Sequence, residues 1–193
     1  MASRSTLIVL DRDGVLNALL PNPDEPRPDS PMRPSQVTVF PWVPDVIRDL
    51  TRAGFGIVIA SNQPAAAKGK TTRADLQAVH AAVVLEATAM GGVILSSHIC
   101  FHRAEDGCTC RKPATGLLAE AFAQHTAYDR ASSWMVGDRA PDIIAGAAFG
   151  LQTALLGDVS ADERAAIAAR EISPTFEGRD LRAFVAHLLT DRN

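Results

Sequence analysis

Hydrophobic positions along the chain follow two rhythms that alternate. Leu7-Ile8-Val9-Leu10 is an unbroken apolar run, and further strand-like segments, less purely apolar, recur at 55–60, 93–99, 133–136 and 151–156. Continuous runs of this length predict strands covered on both faces, as in a parallel sheet. Between them the spacing becomes helical. Val43, Val46, Ile47 and Leu50 share one helical face, and Gly54 follows as a helix-ending residue. Thr72 and Asp75 form a start signal for a second helix, which carries Leu76, Val79, Val83 and Met90 on one side and stops at Gly91-Gly92. Further helices are predicted over about 115–127, from Pro141 to about Phe149, over about 161–170 and over 180–190, with a short extended piece at 174–176. Strands that alternate with helices require right-handed crossovers, and therefore a parallel sheet between helical layers. The expected fold is a single three-layer α/β domain spanning 1–193, without internal repeats. Six prolines in 21–34 mark an ordered or partly mobile surface excursion.

Composition sets limits on function. A net charge of −3 gives no basic footprint, which argues against nucleic acid and anionic membranes as partners. No apolar run reaches the length of a membrane span, and the first residues run into a strand without a signal-peptide core, so a cytoplasmic protein is expected, a monomer or weak dimer.

Candidate chemistry collects at one edge. In sheets of this kind ligands bind beyond the carboxyl ends of the strands, and polar clusters follow the first, second and fourth runs. Asp11 and Asp13 end the first, Ser61-Asn62-Gln63 the second, and Gly137-Asp138 the fourth. Neighbouring carboxylates repel unless a proton or cation lies between them. Three of them facing oxygen ligands describe a hard-cation site suited to Mg²⁺. Strand-end aspartates often only cap turns, but three acids with a Ser and a Lys at the same edge make that reading insufficient.

The three cysteines all lie between 100 and 110, a crowding that fits a metal better than a disulfide framework. Cys100-x-His102 and Cys108-x-Cys110, separated by the loop 103–107, offer three thiolates and an imidazole, the closed shell of structural zinc. His98 is an alternative to His102, because strand alternation would put both on the face of Cys100. His80, His125 and His187 lie in helical stretches away from the cysteines and read as surface or half-buried residues. Lys112 follows Cys110 by two positions, with Arg111 between them, so a metal clip would fix the backbone that presents both cations.

These residues carry a family resemblance. Leu10-Asp11-Arg12-Asp13-Gly14-Val15, Ser61-Asn62-Gln63, Arg111-Lys112-Pro113 and Gly137-Asp138-Arg139-x-x-Asp142 resemble, in order and spacing over roughly 6–157, the four motifs of the haloacid dehalogenase (HAD) superfamily. The resemblance implies a HAD-like, Rossmannoid phosphatase fold in which Asp11 attacks phosphorus and forms an aspartyl-phosphate, while Asp13 protonates the leaving oxygen and then activates water. The Asp11 carboxylate, the Asp13 backbone carbonyl and the Asp138 carboxylate would hold Mg²⁺. Ser61 and Lys112 would donate to the phosphoryl oxygens. Asp142 would touch a metal-bound water, orient Lys112, or merely favour a helix N-terminus. Arg12, between two aspartates on a strand end, is expected to point away from them.

The zinc loop leading into Cys-Arg-Lys-Pro is similar to two branches without a large cap domain, the heptose bisphosphate phosphatases and the histidinol-phosphate phosphatases. The chain has no room for a large cap either. Ala67-Lys68-Gly69 favours the heptose branch, with Pro64-Ala65 departing from its usual Ser-Gly and Trp42 from a frequent Gly; Gly137-Asp138-Arg139-Ala140 leans toward the histidinol branch. The expected substrate is a small sugar phosphate, foremost heptose 1,7-bisphosphate at its 7-phosphate, with histidinol phosphate as the alternative. Arg111 is the first candidate to grip a second anionic group, and Asn62, Gln63, Arg139 and Lys68 are further substrate contacts. A lapsed binding module would lack a catalytic group, and none is missing.

Overall fold

The buried run at the start of the chain becomes β1 (Leu7–Leu10), and every one of its side chains is fully enclosed. In the computed structural model, which describes residues 5–22 and 28–190, β1 lies inside a six-stranded sheet. The others are β2 (Gly56–Asn62), β3 (Ser96–Cys100), β4 (Trp134–Gly137), β5 (Gln152–Leu156) and β6 (Phe176–Gly178). Their order is β3-β2-β1-β4-β5-β6, and every neighbouring pair is parallel. Six helices cover the two faces: α1 (Val43–Arg52), α2 (Arg73–Ala87), α3 (Gly116–Gln124), α4 (Ala140–Phe149), α5 (Ala161–Ala168) and α6 (Leu181–Thr190).

The unbroken apolar runs have a direct cause in this layering. Ile8, Leu10, Ile57, Ile59, Trp134 and Val136 face α1 and α6. Leu7, Val9, Val58, Ala60 and Met135 face the opposite layer with Leu117, Leu118 and Ala121 of α3 and Ala145 of α4. Alternating positions are thus equally buried, each large side chain contributing about 1.5–3 kcal/mol.

Several boundaries differ from those the sequence predicts. β2 continues through Asn62, because Ser61 and Asn62 still find partners opposite Ile99 and Cys100. α2 ends at Ala87, where the Thr88 hydroxyl donates back to the Val84 carbonyl, so Met90 leaves the helix face and lies 53% exposed. β3 begins only at Ser96, and Val93 and Leu95 before it are exposed. Trp42 stacks on Phe40 at 5.0 Å, under the Arg182 guanidinium, and so packs the entry of α1 against α6. In the proline-rich excursion, 23–27 lies outside the described residues, as do residues 1–4, for which no signal-peptide core was expected. Leu20 and Asp29 exchange backbone hydrogen bonds of 2.8 and 2.9 Å, and Thr71 donates to the Met32 carbonyl at 3.1 Å, so the excursion folds onto the loop after β2. Among the described residues there is no large cap, and no helix is long and apolar enough to cross a membrane.

β1 is where the sheet's order reverses, with β2 on one side and β4 on the other. Crevices of this kind are the ligand sites of open α/β sheets.

Candidate active site

Asp11 and Asp138 leave adjacent strands at this switch point. The Asp11 N–H donates to the Val136 carbonyl at 2.8 Å, which ties the end of β1 to β4. Asp142 is the third residue of α4, and its carboxylate accepts from the Arg139 N–H at 3.2 Å. One oxygen from each of Asp11, Asp138 and Asp142 lies within 4.8 Å of the others. Two glycines make this crowding possible. A Cβ on Gly14 would lie 2.0 Å from an Asp138 oxygen, and one on Gly137 would lie 2.3 Å from Asp142 Cβ. Gly14 also has φ +84°, where a side chain is strained in any case. Gly14→Ala is therefore expected to displace Asp138, cost about 1–3 kcal/mol in denaturant unfolding and weaken Mg²⁺ binding.

The electrostatics describe a site short of positive charge. Burial, then repulsion from Asp11 and Asp142, pushes Asp138 up to about 8. Its Oδ1 is buried without a hydrogen-bond partner among the described residues. Asp142 is pushed up to about 6, chiefly by burial, with Lys112 opposing and Asp11 adding to the shift. Because both carboxyls hold protons in the fold more tightly than their ordinary value of 3.8, the folded state binds more protons than the unfolded one. Stability of the metal-free chain should then fall as the pH rises from near 3.8 toward 8. Urea titrations at pH 5 and pH 8 check this; Mg²⁺ should abolish the loss, and Asp138→Asn should reduce it.

Lys112 is a cation set inside the group. It is 3% exposed, and its ammonium meets Asp11 at 3.0 Å, Asp142 at 2.6 Å and the Ala60 carbonyl at 2.6 Å. Burial alone would lower its pKa, but the two carboxylates more than offset this and raise it above the ordinary lysine value. Asn62 fixes the backbone beneath it, donating to the Lys112 carbonyl at 3.0 Å and accepting from the Lys112 N–H at 3.1 Å. Asp142 thus combines two of the roles the sequence left open, since it caps its helix and pairs with Lys112.

Asp13 belongs to a second network. Its carboxylate accepts from Arg12, from Asn17 at 2.9 Å and from Gln63 at 2.6 Å, and Gln63 also donates to the Ser61 hydroxyl at 3.0 Å. Burial favours the protonated acid, but the Arg12 charge and these donors outweigh it and hold Asp13 below its ordinary value. The expectation that Arg12 points away from the aspartates is corrected here. The strand ends at Leu10 and the chain enters a tight turn, with Leu16 N–H donating to the Arg12 carbonyl at 2.8 Å, so two-residue alternation no longer applies. Arg12 and Asn17, both fully buried, escaped the sequence reading of the site. A lone Asn between Leu16 and Ala18-Leu19-Leu20 was the available signal.

The four residues of the cysteine clip converge. Cys110 Sγ lies 3.2 Å from Cys100 Sγ, 3.5 Å from Cys108 Sγ and 3.3 Å from His102 Nδ1, and Cys100 lies 3.7 Å from Cys108 and 3.5 Å from His102. A tetrahedral zinc shell with sulfur at about 2.3 Å has edges of about 3.7 Å, so the donor set is compatible with that ion. Burial and neighbouring sulfurs push Cys110 up to about 12, whereas Cys108, despite the cost of burial, is drawn down to about 7 by donors that include the Arg111 N–H. A divalent cation would remove this conflict. His98 turns elsewhere: its Nε2 lies 2.9 Å from the Ser96 hydroxyl, which also meets His125 Nε2 at 2.9 Å, and its Nδ1 faces Glu120. His187 stacks on Phe176, and His80 is half-buried, pushed down to about 4 by burial and then by Arg12.

The remaining substrate candidates are dispersed. Arg111 donates to the His102 carbonyl at 3.2 Å, and Arg139 pairs with Glu163 of α5 at 3.0 Å. Lys68 is exposed and lines a cavity of about 60 Å³ with Gln63, Pro64 and Asp29.

A Rossmann-like sheet here gathers carboxylates, a hydroxyl and a buried ammonium at its switch point. Residues 109–183 match the family model described as HAD-hydrolase-like. A D-glycero-beta-D-manno-heptose-1,7-bisphosphate 7-phosphatase of Pseudomonas putida is 34% identical over 155 residues, 78% of this chain and 81% of that one. The crystal structure of D,D-heptose 1,7-bisphosphate phosphatase from B. bronchiseptica, complexed with magnesium and phosphate, superposes with a TM-score of 0.80 at 30% identity, covering 96% of this chain and 99% of that chain. The histidine biosynthesis bifunctional protein HisB of Legionella pneumophila is 31% identical over 136 residues, 70% of this chain but 37% of that protein. The chain belongs to the HAD superfamily and is one of its phosphatases, a phosphoric monoester hydrolase.

Proposed function

We propose that the chain removes the 7-phosphate of a D-glycero-D-manno-heptose 1,7-bisphosphate, with Asp11 as nucleophile, in a Mg²⁺-dependent reaction. The observation that carries the chemistry is the buried Asp11–Lys112–Asp142 arrangement beside an Asp138 oxygen with no hydrogen-bond partner among the described residues. Asp11, Asp138 and the Asp13 backbone would hold the ion, with Asp142 close by. When bound, Mg²⁺ supplies positive charge against the phosphoryl oxygens and relieves the repulsion among the acids. The chain's own groups do the rest. Lys112 holds one Asp11 oxygen, leaving the other to attack phosphorus; Lys112 and the Ser61 hydroxyl donate to the phosphoryl group as its charge spreads. Asp13 gives its proton to the leaving oxygen and takes one from the water that later attacks the aspartyl-phosphate. Asn62 and Gln63 serve this machinery by holding Lys112 and Asp13, while Arg111, Arg139 and Lys68 are left to meet the rest of the substrate. The setting would be cytoplasmic, in a monomer or weak dimer.

The choice of heptose rests on relatives that match this chain over most of their own length. Histidinol phosphate is the second reading, favoured by the HisB relative. Parallel kcat/KM measurements separate the two, and a preference for histidinol phosphate would overturn the first.

The cysteine clip would hold Zn²⁺ as a structural ion. Cys110→Ser is expected to lose the metal and about 4 kcal/mol or more of stability, a fall in Tm of about 8–16 °C for a chain of this size. Activity should fall with it, since Lys112 lies two residues away. Zinc content by mass spectrometry and a thermal melt test the assignment.

A further inference from the structure

We propose that Arg12 is a positioning residue for Asp13, a role that rests on the reading of Asp13 as acid and base. Arg12 is completely buried, and a guanidinium withdrawn from water is costly unless paired. Its hydrogen bonds go to one carboxylate: Nε and Nη2 reach Asp13 Oδ1 at 3.1 Å each, and Nη2 reaches Oδ2 at 2.9 Å. Among the described residues Nη1 is buried with no partner, so the guanidinium does not knit other described elements together. A charge kept inside only to cross-link the fold would spread its donors over several acceptors. Here the planar fork fixes the plane and direction of a single carboxyl group.

Two further donors complete the hold. Asn17, itself fully buried, donates to Oδ1 at 2.9 Å, and Gln63 donates to Oδ2 at 2.6 Å while also donating to Ser61. Asp13 is thereby fixed relative to Ser61, a phosphoryl donor in the proposed reaction. The chemistry gives the hold a purpose. As Asp11 oxygen bonds to phosphorus and the bond from phosphorus to the leaving oxygen breaks, the proton that Asp13 takes up with the phosphate group passes to that oxygen. The group left behind is the Asp13 carboxylate, the charged form that Arg12 pairs with. An acid displaced by about 1 Å loses on the order of 100-fold.

Proton donation matters for an alkoxide leaving group and hardly at all for a stabilised phenolate. The test therefore compares a sugar phosphate with p-nitrophenyl phosphate in wild type, Arg12→Met, Arg12→Lys and Asp13→Asn, read as kcat/KM so that only steps through phosphoryl transfer count. The ratio of the two values does not depend on the fraction of protein folded. Arg12→Met is expected to lose about 100-fold more on the sugar phosphate than on the aryl ester, with Arg12→Lys recovering part of the difference. Equal losses on both substrates in the two Arg12 variants, while Asp13→Asn shows the selective loss, would overturn the positioning role and leave the acid assignment intact. An unselective Asp13→Asn protein would instead remove the acid assignment, and this inference with it.

Discussion

Asp11→Asn is expected to lower kcat by about 10,000-fold or more, the scale seen when a covalent nucleophile is removed, while the protein stays folded. Loss of activity and retention of structure both rest on the proposal that Asp11 is held for reaction rather than for stability. Lys112 would keep its 2.6 Å contacts to Asp142 and the Ala60 carbonyl. Asp138 would lose one of the two carboxylates that repel it, so Asn at position 11 should leave stability unchanged or raise it. Steady-state kinetics, a denaturant titration and zinc content on one preparation test the whole statement. A variant that retains turnover refutes the nucleophile assignment.

Lys112→Met should have the opposite balance and lose both activity and stability. Removing the ammonium leaves Asp11 and Asp142 facing each other, with burial penalising their charge and no cation between them. Uncompensated buried charges cost about 3–5 kcal/mol, which for this chain length corresponds to a Tm lower by about 6–20 °C. Loss of a donor to the phosphoryl oxygens should reduce kcat by a further 100- to 1,000-fold or so among the molecules that remain folded. Mg²⁺ should restore part of the stability, because a divalent ion takes over neutralisation of the acids, but not the rate. If Lys112→Met melts like the wild type, the ammonium is not what holds these acids together.

The framework was legible in the sequence because its signal is dense. A strand buried on both sides must be apolar at every position, as 7–10 is, and the acids that follow such strands must fall at the carboxyl edge. The cysteine clip was legible for a similar reason, since Cys100, His102, Cys108 and Cys110 crowd into one short stretch of the chain. Details that depend on how a side chain turns were not. Nothing in strand spacing tells that His98 bends back to Ser96 while His102 joins the sulfurs. Arg12 was misplaced because alternation was carried past the last strand residue, into a turn where the backbone reverses. Asn62 and Gln63 read as substrate contacts because polar residues at a binding edge usually face the ligand. Their amides also hold Lys112 and Asp13, and Gln63 lines the cavity beside Lys68. The two boundary errors around Met90 and Val93 share one origin: apolar residues were assigned to a helix and a strand, but the chain leaves them exposed at the sheet's β3 side.

The central claim is that Asp11, set among Asp138, Asp142 and Lys112, becomes phosphorylated during turnover. The Asp13→Asn protein gives the clearest view, because an aryl phosphate needs no acid to phosphorylate Asp11, whereas release of the phosphoryl group needs a base. Mixed with p-nitrophenyl phosphate and Mg²⁺, then acid-quenched and digested, it should carry one phosphoryl group on the peptide containing Asp11. Release of p-nitrophenol with no phosphorylated peptide, or with the phosphoryl group on another residue, would contradict the account.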